Sequence, residues 1–408
     1  MRRDGMFFGW QVVAAAFVLA VFAWGIGFYG PGIYLHALHA REGWPVSLIS
    51  AAITLHFLAS ALLVTALPAL HRRFGLVAVT RGGALASAAG VLGWALASQP
   101  WHLAPAALLT AIGWSVHGGA AINAMVSPWF DRRRPAALSL AYNGASVGGV
   151  LFVPLWAALI AALGFGGAGA VVAAAALLAL WPLAGIWLRP TPQEKGLFPD
   201  GAEGPPPPRP APPAAGPLWR QGRFRSLSLA FAIGLTAQMG LLTTLFSILA
   251  PALGTRGAGF ALSLATVCAI IGRTATGALL PPGADRRVAG MLNFLLQAAG
   301  SALLALAAGE GVALLLLGAV LFGLGIGNLL SLPPLIAQSE WPPGEVARVV
   351  AMVTAVNQGF YAFGPALFGA ALDAFGPAAP PALAGLLQIA AAAVLMGGRR
   401  QPRRSPVG

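Results

Sequence analysis

Residues 7–34 read FFGWQVVAAAFVLAVFAWGIGFYGPGIY, twenty-eight positions without one Asp, Glu, Lys or Arg. Coiled as a helix, the run is long enough to cross the ~30 Å hydrocarbon core of a bilayer. Working outward from it, eleven more apolar runs follow, at about 45–70, 76–98, 101–127, 135–163, 167–188, 223–251, 257–281, 285–308, 311–337, 344–373 and 378–398. Almost every charge sits in the gaps. With the gaps assigned alternately to two sides from a cytoplasmic N-terminus, 21 of the 24 Lys and Arg fall inside. Arg41 and Arg256 fall outside, and Arg273 falls within an apolar run. Basic residues favour the cytoplasmic side of short loops. The pattern predicts an all-α polytopic membrane protein of twelve transmembrane helices with both ends cytoplasmic, in a bacterial-type inner membrane.

Composition excludes several other classes. The chain is 58% hydrophobic and 9% charged, values at which a soluble 408-residue protein would expose too much apolar surface. The net charge of +13 is scattered in small groups over the inside segments, which suits anionic lipid headgroups and not nucleic acid. Cys268 is the single cysteine, so the chain can form no internal disulfide and has no cysteine pair for a metal. The first apolar run is too long for the core of a cleaved signal peptide. No glycine loop followed by Lys-Ser/Thr is present, and Gly323-x-Gly325-x-Gly327 lies inside an apolar run, where it reads as helix packing. The chain is expected to be no enzyme, with no cofactor and no metal.

The stretch 189–222 breaks the rhythm. It holds Lys195, Asp200, Glu203 and the run Pro205 to Pro208, too much proline and too few apolar side chains to pack a core, and reads as an extended linker. The expected organisation is a six-helix half over 1–188, the linker over 189–222, a second six-helix half over 223–398 and a tail over 399–408. Repeated halves are a common plan for transporters. Faint internal similarity agrees: Arg134 precedes Asn143 by nine residues as Arg348 precedes Asn357, and His117 and Asn328 stand at similar distances before Trp129 and Trp341.

Two stretches carry a family likeness. Asp4-Gly5-Met6-Phe7-Phe8-Gly9-Trp10 resembles the start of the first helix in monocarboxylate transporters. Trp129-Phe130-Asp131-Arg132-Arg133-Arg134-Pro135, followed by Asn143-Gly144-Ala145-Ser146-Val147-Gly148-Gly149, is similar to the junction of helices 4 and 5 in that branch and in oxalate–formate exchangers, within the major facilitator superfamily. The superfamily's Gly-x-Leu-x-Asp-Arg loop departs here to Pro68-Ala69-Leu70-His71-Arg72-Arg73, with Arg72 where the aspartate belongs. The resemblance implies that an arginine of helix 8, here Arg273, anchors the substrate. It also implies a proton-coupling aspartate one turn earlier, where this chain has Ala269.

Arg273 also stands out on physical grounds. A cation at the centre of a membrane helix costs roughly 2.5–3.5 kcal/mol on insertion scales, so it normally faces a cavity and a partner. No carboxylate lies within a span to serve as one, which leaves the carboxylate of a substrate, held by two parallel hydrogen bonds. Snorkelling to the headgroups is the competing reading, because the helix ends a few residues later. Thr266 and Gly277 share its face. The other binding candidates are the intramembrane polar residues Tyr29, His117, Asn123, Tyr142, Asn143, Gln238, Asn328, Asn357 and Tyr361, each equally able to bond a neighbouring helix. His56 and His117 are the proton-coupling candidates. The sequence thus points to a secondary transporter of a small organic anion, monocarboxylate-like, with a proton or anion carried along or exchanged. The alternative is efflux of a neutral or hydrophobic compound on the same fold.

Overall fold

A computed structural model describes residues 7–202, 204, 216–281, 283–307 and 310–399. Asp4-Gly5-Met6, Glu203, Pro205 to Pro208 and the tail from Arg400 lie outside the described residues. Every regular element among the described residues is helical. The helices are α1 (Phe8–Gly27), α2 (Gly30–Glu42), α3 (Val46–Ala95), α4 (Leu103–His117), α5 (Gly119–Val126), α6 (Arg134–Trp187), α7 (Gly222–Leu279), α8 (Arg286–Ala307), α9 (Val312–Ile326), α10 (Asn328–Glu340), α11 (Pro343–Tyr361), α12 (Gly364–Phe375) and α13 (Ala379–Gly397). In an apolar solvent each backbone N–H and C=O must find its partner within the protein, and helices achieve this segment by segment.

Thirteen helices make twelve crossings. α3, α6 and α7 each hold two, divided at Gly75, Gly164 and Gly254. Four other crossings are broken helices: α1 with α2, α4 with α5 across Gly118, α9 with α10 across Gly327, and α11 with α12. α8 and α13 are the ninth and twelfth. The dividing glycines pair between halves. Gly43 and Gly254 have φ of 68° and 69°, Gly75 and Gly283 have 78° and 86°, and Gly164 and Gly376 have 69° and 79°. Each pair sits at the same turn of its half, in backbone conformations that glycine adopts without steric cost. The molecule is therefore two pseudo-symmetric six-helix bundles.

Within the first bundle α1 lies directly on α6. A Cβ at Gly144 would fall 2.2 Å from the Phe17 carbonyl oxygen, and one at Gly148 would fall 2.6 Å from that of Val21, so the backbones touch. The bundles meet where α3 packs on α11 and α6 on α7. Outside, Leu62, Leu178, Leu306 and Phe375 are each at least 75% exposed, the surface of a protein solvated by lipid. The start of α1, the connection after α6 and the end of α13 gather on one face, the terminal face. Lys195 Nζ stands 4.1 Å over the Phe8 ring. Asp200 accepts the backbone N–H groups of Asp131, Arg132 and Arg133 at 3.1, 2.7 and 3.2 Å. Arg399 Nε meets Asp285 Oδ2 at 2.6 Å.

Candidate substrate site

Arg273 lies on the second crossing of α7, and the residues around it explain its position. Its neighbour Gly272 has no room for a side chain: a Cβ there would lie 1.9 Å from the Leu324 carbonyl oxygen, so α7 presses on α9. At the junction of α9 and α10 the Gly327 carbonyl accepts the Leu330 N–H at a long 3.4 Å, and Arg273 Nε donates to the same oxygen at 2.7 Å. Nη1 donates across to the other half, to the Tyr142 carbonyl and, at 3.4 Å, to Asn143 Oδ1. The side chain is 1% exposed. It therefore does not snorkel. Among the described residues no carboxylate pairs with it, so three neutral oxygens solvate a charge that remains uncompensated.

Further bonds tie the halves together. Ser139 Oγ donates to the Arg273 carbonyl and Asn143 Nδ2 to Thr274 Oγ1, both at 2.8 Å. Gly277 sits against Ser139, which leaves it outside the cavity wall. Thr266 returns its hydroxyl to the Leu262 carbonyl at 3.0 Å. Towards the terminal face, Gln338 Nε2 donates to Asn123 Oδ1 at 3.0 Å and to Ser127 Oγ at 3.2 Å. Ser60 donates to Gln358 Oε1 at mid-depth. Among the described residues these side-chain bonds between halves lie at mid-depth or towards the terminal face, so the site is closed on that side.

A cavity of about 90 Å³ lies between the halves beside Arg273. A water needs about 10–15 Å³ on this measure, so the space has room for about six to nine water-sized atoms. Tyr29, Tyr142, Gln238, Asn357 and Tyr361 line it, with Trp24, Phe28, Trp114, Leu235 and Met239 as apolar wall. Tyr142 points its hydroxyl at the Gly119 carbonyl, 2.7 Å away, and Gln238 Oε1 accepts from Gln297 Nε2 at 2.9 Å. Asn357 Oδ1 is buried with no hydrogen-bond partner, an acceptor ready for a ligand donor. Ser146, on the same polar face of its helix as Tyr142 and Asn143, also lines the cavity, as do Gln358 and Thr354, which the sequence did not single out as binding groups. Gln358 follows Asn357 directly, about 100° further round the helix, and only the tertiary arrangement brings both to the space.

The remaining candidates lie elsewhere. His56 Nε2 meets the Gly27 carbonyl and its Nδ1 meets Thr110 Oγ1, both at 3.0 Å, joining three crossings of the first half. His117 Nε2 donates to the Thr80 carbonyl at 2.9 Å. Both carbonyls can only accept, so Nε2 carries a proton in each ring. Asn123 serves the contact with Gln338, and Asn328 Nδ2 donates to Asn293 Oδ1 at 2.9 Å. None of these four lines the cavity, and Asn143 reaches Arg273 from behind it.

Twelve crossings in two related bundles, closed around a central site with one buried cation, define a polytopic carrier. The chain belongs to the Major Facilitator Superfamily, whose family model matches residues 12–365. The family consists of membrane transporters and not enzymes, and this chain is a multi-pass membrane transporter. Among solved structures, the human organic anion transporter MFSD10 (TETRAN) is similar, with a TM-score of 0.69 and 17% identity over 95% of this chain and 99% of that one. At that identity the likeness concerns the fold. No curated protein sequence matches the chain.

Proposed function

We propose that this transporter carries a small organic anion, of the monocarboxylate kind, by alternating access about the central cavity. The observation that carries the reading is the Arg273 guanidinium, buried beside the cavity with no carboxylate partner. Its bonds to protein use Nε and Nη1, so the Nη2 edge is the one offered to a ligand. The printed description of the MFSD10 neighbour as an organic anion transporter is in keeping with this reading. Asn357 and the tyrosines would read the rest of the substrate. Rocking of the halves would break the bonds on the terminal side and expose the site there.

Uptake of lactate, pyruvate, formate, oxalate and amino acids into proteoliposomes tests the proposal. Loss of a charge-assisted bond costs about 1.5–3 kcal/mol, so Arg273→Ala should raise the half-saturation for the identified anion about 10- to 150-fold. Arg273→Lys should recover part of it. Transport unchanged in Arg273→Ala would end the proposal. One observation favours a second reading: the wall is largely apolar, and main-chain oxygens already occupy two Arg273 donors. On that reading the substrate is neutral or hydrophobic and Arg273 only locks the halves, so the variant would leave substrate affinity intact.

The membrane is taken as a bacterial-type inner membrane with the terminal face inward, from the distribution of 21 of 24 basic residues. A reporter that matures only in the cytoplasm, fused after Gly408, should be active.

A further inference from the structure

The two halves treat one arginine differently. Arg287 opens the ninth crossing, is 1% exposed, and donates Nη1 to the Leu395 carbonyl at 2.8 Å near the end of the twelfth. Its guanidinium lies against Gly398, where a Cβ would meet Nη1 at 2.7 Å. Its charge is answered by Glu340 at the end of the tenth crossing, through Nε at 2.5 Å and Nη2 at 2.9 Å. Arg81 makes comparable contacts in the first half. It lies at the start of the third crossing, donates Nε to the Trp181 carbonyl at 3.1 Å near the end of the sixth, and has its Nη2 2.3 Å from where a Cβ of Gly185 would stand. Its guanidinium also lies 4.9 Å over the Trp181 ring. The position matching Glu340, just before Trp129 as Glu340 is just before Trp341, is Pro128.

In place of the carboxylate the first half has a cavity of about 880 Å³. Pro128, Arg81 and Arg189 all line it, and among the described residues no Asp or Glu does. On its rim Phe74, Leu85 and Trp181 are 55%, 49% and 41% exposed. We propose that this cavity, beside Arg81 and Arg189, binds the headgroup phosphate of an anionic phospholipid, which supplies the negative charge that Glu340 supplies in the other half. Two arginines and no acid select an anion, and aromatic residues near helix ends mark headgroup depth. The apolar rim selects an anion that carries acyl chains. The pocket is remote from the central cavity, and the inference does not depend on what the transporter carries.

The test uses the full chain purified in neutral detergent, titrated with phosphatidylglycerol, with phosphatidylcholine, and with inorganic phosphate, and followed by native mass spectrometry and thermal unfolding. Phosphatidylglycerol should remain bound and raise the unfolding midpoint, and the other two should do neither. Arg81→Gln and Arg189→Gln should each weaken phosphatidylglycerol binding about fivefold. Pro128→Glu, which restores the internal carboxylate, should abolish the selectivity for phosphatidylglycerol. Phosphatidylcholine binding as well as phosphatidylglycerol, inorganic phosphate giving the same stabilisation, or arginine variants that fold and bind phosphatidylglycerol like wild type would each overturn the proposal.

Discussion

Arg273 depends on a glycine one break away. A Cβ at Gly327 would lie 2.4 Å from the Ala269 carbonyl oxygen, 2.8 Å from Arg273 Cβ and 2.9 Å from Nε. Gly327→Ala is therefore expected to cost about 1–3 kcal/mol by overpacking and to push the guanidinium aside. Thermal unfolding and uptake should both fall, although the substituted side chain is not a binding group. The sequence singles out Arg273 because nothing else inside an apolar run is so expensive to place there. It could not sort the uncharged polar residues. Tyr29, Tyr142, Gln238, Asn357 and Tyr361 line the cavity, whereas His56, His117, Asn123 and Asn328 bond neighbouring helices. An angle counted along an unbroken helix from His117 to Asn123 loses its meaning at Gly118, where ψ is −165°. At Asn328 the side chain is taken up by Asn293 of the ninth crossing, a partner that counting along one helix does not reveal.

At the scale of elements, the turns carry the testable chemistry. Gly164 has φ 69° and ψ 171°, a region essentially reserved for glycine, while Gly43 has φ 68° and ψ 12°, which asparagine also adopts. Gly43→Asn should unfold close to wild type in detergent, and Gly164→Asn should lose about 1–3 kcal/mol. None of this was legible, because the six paired turn glycines hide among 53. The twelve runs were legible, because crossing a bilayer demands length and apolarity that nothing else mimics. At the start of α8, partial burial pushes the Asp285 carboxyl up, but Arg399 and the N–H groups of Arg287 and Val288 together hold it below its usual value. A depressed carboxyl contributes stability above its unfolded value of about 3.9, lost as pH falls through the folded value. Asp285→Ala should cost about 0.5–2 kcal/mol at neutral pH as a lost helix-start acceptor. The difference from wild type should shrink below about pH 4, as measured by chemical unfolding across that range.

For the whole molecule, closure towards the terminal face rests on few side chains. Asn143→Ala together with Gln338→Ala removes the bonds to Thr274, Asn123 and Ser127. A thiol introduced at Ser139 should then react faster with an impermeant maleimide applied from the terminal face, and an unchanged rate would argue that packing alone holds the seal. Coupling is also a property of the whole. A cavity with one fixed cation is near neutral when an anion occupies it, so the loaded carrier should cross more readily than the empty one. Strong counterflow and weak accumulation under an imposed pH gradient are expected. His56→Gln and His117→Gln should lower stability and leave the counterflow intact, since both rings bond helices away from the cavity. Strong pH-driven uptake surviving both changes would mean a proton path through other groups.

The contacts of Arg273 with Tyr142 and Gly327 are made to peptide oxygens, which no substitution removes. Its partners therefore cannot drift away by single mutations, and a saturation scan should be lopsided. Position 273 should tolerate almost nothing, Tyr142 should accept Phe, and Gly327 should fail through bulk and not through polarity. A second-site revertant of an Arg273 loss would then have to bring a new cation, because the one side-chain partner, Asn143 Oδ1, makes only a long 3.4 Å contact and carries no charge.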